Sequence, residues 1–70
     1  MVEVFKTDMK DRVLADIIRL NLSNLIPSSS ISFDLEDCDK VLRIEANNVS
    51  AKIVIEELQK KGVMCEVMDW

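Results

Sequence analysis

An α+β sandwich of β-α-β-β-α-β order is the fold class that three features of the sequence predict. Apolar residues alternate with polar ones in four short stretches, two longer stretches carry the three-and-four spacing of amphipathic helices, and the joins between them are brief and polar. Seventy residues make one domain, near the lower size at which a single core holds without staples.

The elements follow in order. Val2 and Val4 alternate with Glu3 and Phe5, the pattern of a first strand. From about Lys10 to Leu25, residues Val13, Leu14, Ile17, Ile18 and Leu25 share a helix face, with Asp8 as the expected N-cap and Asp11 suited to the positive end of the dipole. Pro27 ends this helix and Ser28-Ser29-Ser30 connects onward. Ile31, Phe33 and Leu35 alternate with Ser32, Asp34 and Glu36 in a second strand. Asp37-Cys38-Asp39-Lys40 is a turn by composition, and Leu42 and Ile44 alternate with Val41, Arg43 and Glu45 in a third strand. Ser50 caps a second helix, with Val49 and Val54 placed as a hydrophobic staple and Ala51, Val54, Ile55 and Leu58 as the buried face. Lys60 and Lys61 suit its C-terminal end, and Gly62 is the expected left-handed residue after it. Val63 to Trp70 reads as a fourth strand.

Right-handed crossovers around both helices give the strand order 4-1-3-2 with both helices on one sheet face, the ferredoxin-like arrangement. The alternation then points Val2, Val4, Ile31, Phe33, Leu35, Leu42, Ile44, Cys65 and Val67 toward the helices. The open face receives Phe5, Val41, Arg43, Met64, Met68 and Trp70 among acidic residues such as Glu3, Asp34, Glu36, Glu45 and Glu66.

Composition narrows the function. A net charge of −4 disfavours nucleic acid and anionic membranes, since both need clustered cations. No stretch reaches the roughly 18 apolar residues of a membrane span, and the N-terminus lacks the basic and apolar regions of a signal peptide. Two cysteines are too few for a disulfide framework, so a cytoplasmic protein is expected. With no His, no Tyr and one Gly, nucleophile–base pairs and phosphate-cradling loops have nothing to work with, so the chain reads as a non-enzyme without a cofactor.

Element order, element lengths and the Gly62 turn make the chain resemble a heavy-metal-associated domain, the fold of small copper chaperones. That family holds a soft ion with the two thiolates of M-x-C-x-x-C in its first loop. In this chain the loop reads Thr7-Asp8-Met9-Lys10-Asp11-Arg12, without a cysteine. The resemblance therefore implies the fold and not the metal. Asp8 and Asp11 keep an i, i+3 spacing, but two carboxylates fall well short of the about six to eight oxygens that Ca²⁺ takes. The stretch Phe33–Glu45 is also similar to short bacterial proteins of this fold, a likeness that brings no activity with it.

The topology brings Met9, Cys38 and Cys65 toward one end of the sheet, yet strand spacing keeps the two cysteines roughly 10 Å or more apart, beyond disulfide reach. Cys65 is expected as a small core residue. Cys38 lies in a turn where Asp37 and Asp39 blunt its nucleophilicity. The expected function is a binding module that docks a protein partner, or a second copy, through the open-face set Phe5, Val41, Arg43, Met64, Met68 and Trp70. The alternative is a copper carrier or sensor with Met9 and Cys38 as ligands.

Overall fold

The computed structural model describes residues 1–68. Its elements are β1 (Val2–Thr7), α1 (Arg12–Leu25), β2 (Ser30–Asp34), β3 (Val41–Glu45), α2 (Ala51–Lys60) and β4 (Cys65–Val67). All pairings are antiparallel and the order is β2-β3-β1-β4, the predicted order read from the opposite edge. The fourth strand is shorter than its sequence pattern suggests, and Trp70 lies outside the described residues.

Directly opposed residues of an antiparallel ladder share a sheet face. Phe33 opposes Leu42, which opposes Phe5, and Ile31 opposes Ile44, which opposes Glu3. Phe5, Leu42 and Ile44 are fully buried beneath the helices. This corrects the expected phase of β1: Phe5 is a core residue, while Val2 and Val4 occupy the open face opposite Glu45 and Arg43. The physical reason is size. Both phases of β1 offer apolar side chains, and burying the aromatic ring removes more surface from water than burying either valine. Thr7 shares the phase of Phe5 and is also buried, with its hydroxyl fully engaged. Val67 opposes Phe5 on the helix side, as expected, but at the sheet edge it stays 45% exposed.

Helix α1 begins at Arg12, two residues later than expected. Asp11 is its N-cap, with backbone φ −114° and ψ 117° and a carboxylate that accepts from the Val13 and Leu14 amides. The buried stripe is Ala15, Ile18 and Leu22, continued by Ile26. Of the face drawn from the sequence, Ile18 is buried and Leu14 packs on the core, whereas Val13, Ile17 and Leu25 are exposed. A helix apolar on several sides offers more than one face to a sheet. Small Ala15 belongs to the chosen stripe, where it permits close approach to β2.

Helix α2 follows its sequence signals. The Ser50 hydroxyl accepts from the Ile53 amide at 3.5 Å, and Val49 and Val54, the two ends of the staple, are both buried. At the far end the Val63 amide donates to Leu58 O and the Gly62 amide to Gln59 O, at 2.9 and 3.0 Å. That pair of bonds is a Schellman closure, and Gly62 supplies its left-handed φ of 76°. Leu58 and Val63 are both buried, giving the closure its hydrophobic contact.

Candidate functional site

The first loop is held by polar ties to its neighbours. Thr7 Oγ1 donates to Lys40 O and accepts from the Met9 amide, and the Thr7 amide donates to Asp39 O at 3.0 Å. These bonds fasten the loop to the β2–β3 turn, where Lys40 adopts a left-handed φ of 47° and its ammonium donates to Leu35 O. Asp8 ties the loop to the start of β4, accepting from the Met64 amide at 2.8 Å and donating its own amide to Met64 O at 3.3 Å. Asp8 is thus a cross-loop brace and not the helix cap.

Counting the M-x-C-x-x-C spacing from Met9 puts Asp11 and Leu14 at the two ligand positions. Asp11 is committed to the helix cap, and Leu14 has no donor atom and packs against the core. The Met9 side chain is 1% exposed within the core cluster. This donor set does not fit a two-thiolate Cu(I) site.

The sulfurs elsewhere do not replace it. Cys38 is exposed between Asp37 and Asp39, and the ligand atoms of these three residues lie within 4.8 Å of one another. Asp37 accepts from the Asp39 amide at 2.8 Å, and Asp39 faces Lys6 across 3.9 Å. Buried Met9 and exposed Cys38 are not presented to a common ion. Cys65 is half-buried, and its thiol is pushed up to about 12 by burial first and by the Glu66 carboxylate second. It is an inert packing thiol, opposite Thr7 on the helix side.

The open sheet face alternates apolar and charged residues. Val41 opposes Asp34, Arg43 opposes Ser32 and Val4, and Lys6 opposes Glu66. The Met68 amide bonds to Val4 O at 2.9 Å, which sets Met68 beside Val4. Met64 is 68% exposed just ahead of β4. Of the residues assigned to this face, Phe5 belongs instead to the core, and Val2 and Val4 take its place beside Val41, Arg43, Met64 and Met68.

A second apolar surface lies on the outer side of α1. Val13, Ile17 and Leu20 are 68%, 45% and 62% exposed. At about 100° per residue, their spacing sets them on the side opposite Ala15, Ile18 and Leu22. The sequence carries the signal, since positions 13, 17 and 20 form an i, i+4, i+7 series. It is hidden because the same series can be taken for the core stripe. Leu25 and Ile53, both about half exposed, border one shallow hollow at the end of α1 and the start of α2.

No protein-family model matches the chain, and no curated protein matches its sequence significantly. Among solved structures it is similar to the yeast copper transporter domain Ccc2a, determined in solution in apo and Cu(I)-loaded states. The TM-score is 0.74 at 18% identity, covering 97% of this chain and 94% of that one. The chain therefore has a ferredoxin-like, heavy-metal-associated-like fold, and the likeness is one of fold. No helix among the described residues is long and apolar enough to cross a membrane.

Proposed function

We propose that this chain is a non-catalytic binding module that docks a protein partner through the outer face of α1. The observation that carries the reading is the exposed stripe Val13, Ile17 and Leu20, left over after the opposite side of the same helix has filled the core. Isolated exposed apolar residues are ordinary, but three in helical register form a continuous surface whose burial is favourable. The polar residues about it, Asp16 and Arg19 on one flank and Asn21 on the other, supply the rim that interfaces carry. Leu20→Lys charges the stripe, and Arg43→Glu alters the open sheet face. Immobilised domain, crosslinked to its partners in extract of the source cells, should lose them in Leu20→Lys and keep them in Arg43→Glu. The reverse result moves the docking surface to Val41, Arg43, Met64 and Met68; retention in both variants overturns the reading.

A copper carrier using Met9 and Cys38 is the second reading, favoured by the likeness to a domain known in a Cu(I)-loaded state. It ranks below the first because Met9 is buried and Leu14 stands at a ligand position. Anaerobic Cu(I) titration against a competing chelator tests it. Stoichiometric binding lost in Cys38→Ser would restore it.

A further inference from the structure

We infer that the free edge of β2 takes up an extended acidic segment of a partner protein as an added strand, with Arg12 and Arg19 of α1 holding its carboxylates. The groove concerned is distinct from the outer stripe of α1, although Arg19 borders both. β2 ends the sheet and pairs only with β3, so one side of its backbone carries unpaired N–H and C=O groups. Sheet edges are ordinarily blunted by brevity, a bulge, Pro or Lys. The other edge, β4, is three residues long. β2 runs five residues, Ser-Ile-Ser-Phe-Asp, in unbroken register and has none of these devices.

Above that edge a groove separates α1 from β2, lined by Arg12, Ala15 and Arg19 on one side and by Ile31, Phe33 and Leu35 on the other. The three apolar residues pack on the core yet stay partly exposed. Ser32 also borders the groove, although alternation points its side chain to the opposite face, so the groove reaches the backbone edge of the strand. At about 100° per residue, Arg12 and Arg19 share the flank of α1 next to Ala15, and Asp16 lies farther round toward solvent. Among the described residues neither arginine is held in an ion pair. In a chain of net charge −4, two arginines to one aspartate make this groove locally cationic, which selects an anionic occupant. Spacing sets its pattern. Arg12 and Arg19 are about two turns, or ~11 Å, apart along the helix. In an added strand, residues four apart share a face and lie ~14 Å apart, a difference that two long guanidinium stems can close. The residue midway between them lies over Ala15 and Phe33 and is apolar. The pattern is therefore acid-x-apolar-x-acid. A second copy fits less well, because two-fold pairing of β2 with itself runs the two α1 helices antiparallel and brings Arg12 of one chain toward Arg19 of the other.

The probe is a fluorescein-labelled peptide, Thr-Glu-Thr-Leu-Thr-Glu-Thr, titrated with the whole chain up to about 1 mM, which reaches weak affinities, and read by anisotropy. A second peptide replaces both Glu by Lys, and two more are N-methylated at every second residue, one in each phase. The Glu peptide should bind about tenfold or more tighter than the Lys peptide. One methylated phase should lose binding and the other keep it, because only alternate amides of an added strand face β2. Arg12 and Arg19 are exposed, so Arg12→Glu combined with Arg19→Glu leaves the core untouched; it should reverse the preference between the Glu and Lys peptides, while Leu20→Lys should leave it unchanged. No binding of the Glu peptide, equal binding of the Glu and Lys peptides, the same response to both methylated phases, or an unaltered preference in the double variant overturns the inference. The free chain should sediment as a monomer at these concentrations; a dimer that excludes the peptide would put a second copy on this edge and overturn the acidic occupant.

Discussion

Replacing Thr7 by Val asks what holds the first loop shut. Thr7 is 7% exposed, and its hydroxyl bridges two backbone groups, donating to Lys40 O and accepting from the Met9 amide. Valine keeps the shape of the side chain and removes both bonds. The Met9 amide then loses the oxygen to which it donates, at a residue that is itself buried, while Lys40 O lies in a half-buried turn where water can replace part of what is lost. A buried polar group left without its partner costs about 1–3 kcal/mol. With one group fully stranded and one partly, the sum is about 2–3 kcal/mol, less a few tenths regained by the added methyl. In a domain of this size 1 kcal/mol corresponds to roughly 4–8 °C, so a fall in Tm of about 10–20 °C is expected. Urea unfolding followed by far-ultraviolet circular dichroism measures the loss, with Thr7→Ser, which keeps the hydroxyl, as the comparison. If Thr7→Val matched the wild type while Thr7→Ser lost stability, packing and not hydrogen bonding would hold the loop, and the hydroxyl bridge would carry none of its stability.

Other variants test the remaining assignments. Phe5→Ala should cost about 3–5 kcal/mol and Val4→Ala far less, an order that the opposite phase of β1 would invert; urea midpoints decide. Asp11→Ala should cost about 1 kcal/mol through loss of the α1 cap, a change visible as fraying of the Val13 and Leu14 amides in hydrogen exchange. Cys38 should react with a thiol reagent at pH 8 well before Cys65, whose thiol is held neutral by burial and by Glu66. Cys65 also sets a sign for alkaline stability. Its folded pKa lies above the ordinary value of 9.0, so the unfolded chain loses its proton first. Stability is then fully present below about pH 9 and falls toward about pH 12. Cys65→Ala should flatten that part of the profile, and an unchanged alkaline slope would exclude the thiol as its cause.

The order and type of the elements were legible in the sequence because each was signalled locally. Pro27 stops a helix by steric clash, Ser50 offers an oxygen to amides three residues on, and Gly62 tolerates a left-handed backbone. None of these effects needs the rest of the fold. The β2–β3 hairpin was equally plain, since Ile31, Phe33, Leu42 and Ile44 share one phase while the other holds Ser32, Asp34, Arg43 and Glu45 with Val41 as its one apolar residue. The faces of β1 and α1 were not. Val2 and Val4 compete with Phe5, and Val13, Ile17 and Leu20 compete with Ala15, Ile18 and Leu22; local pattern ranks neither choice. The caps of α1 shared this ambiguity, because Asp8 and Asp11 are both competent N-caps.

What the sequence determined by itself is thus the β-α-β-β-α-β chain and the absence of a thiolate pair from its first loop, both properties of residue type and spacing. Tertiary structure decided which side of β1 and α1 was buried. A sheet registers on its least ambiguous strand, in this fold β3, and the partner strand's phase follows from which pairing removes the larger apolar surface from water. That choice took Phe5 into the core and left Val13, Ile17 and Leu20 outside. It thereby left an apolar surface on the helix as well as the one that Val4, Val41 and Met68 keep on the sheet, since a side chain is available to a partner only where the core has no use for it.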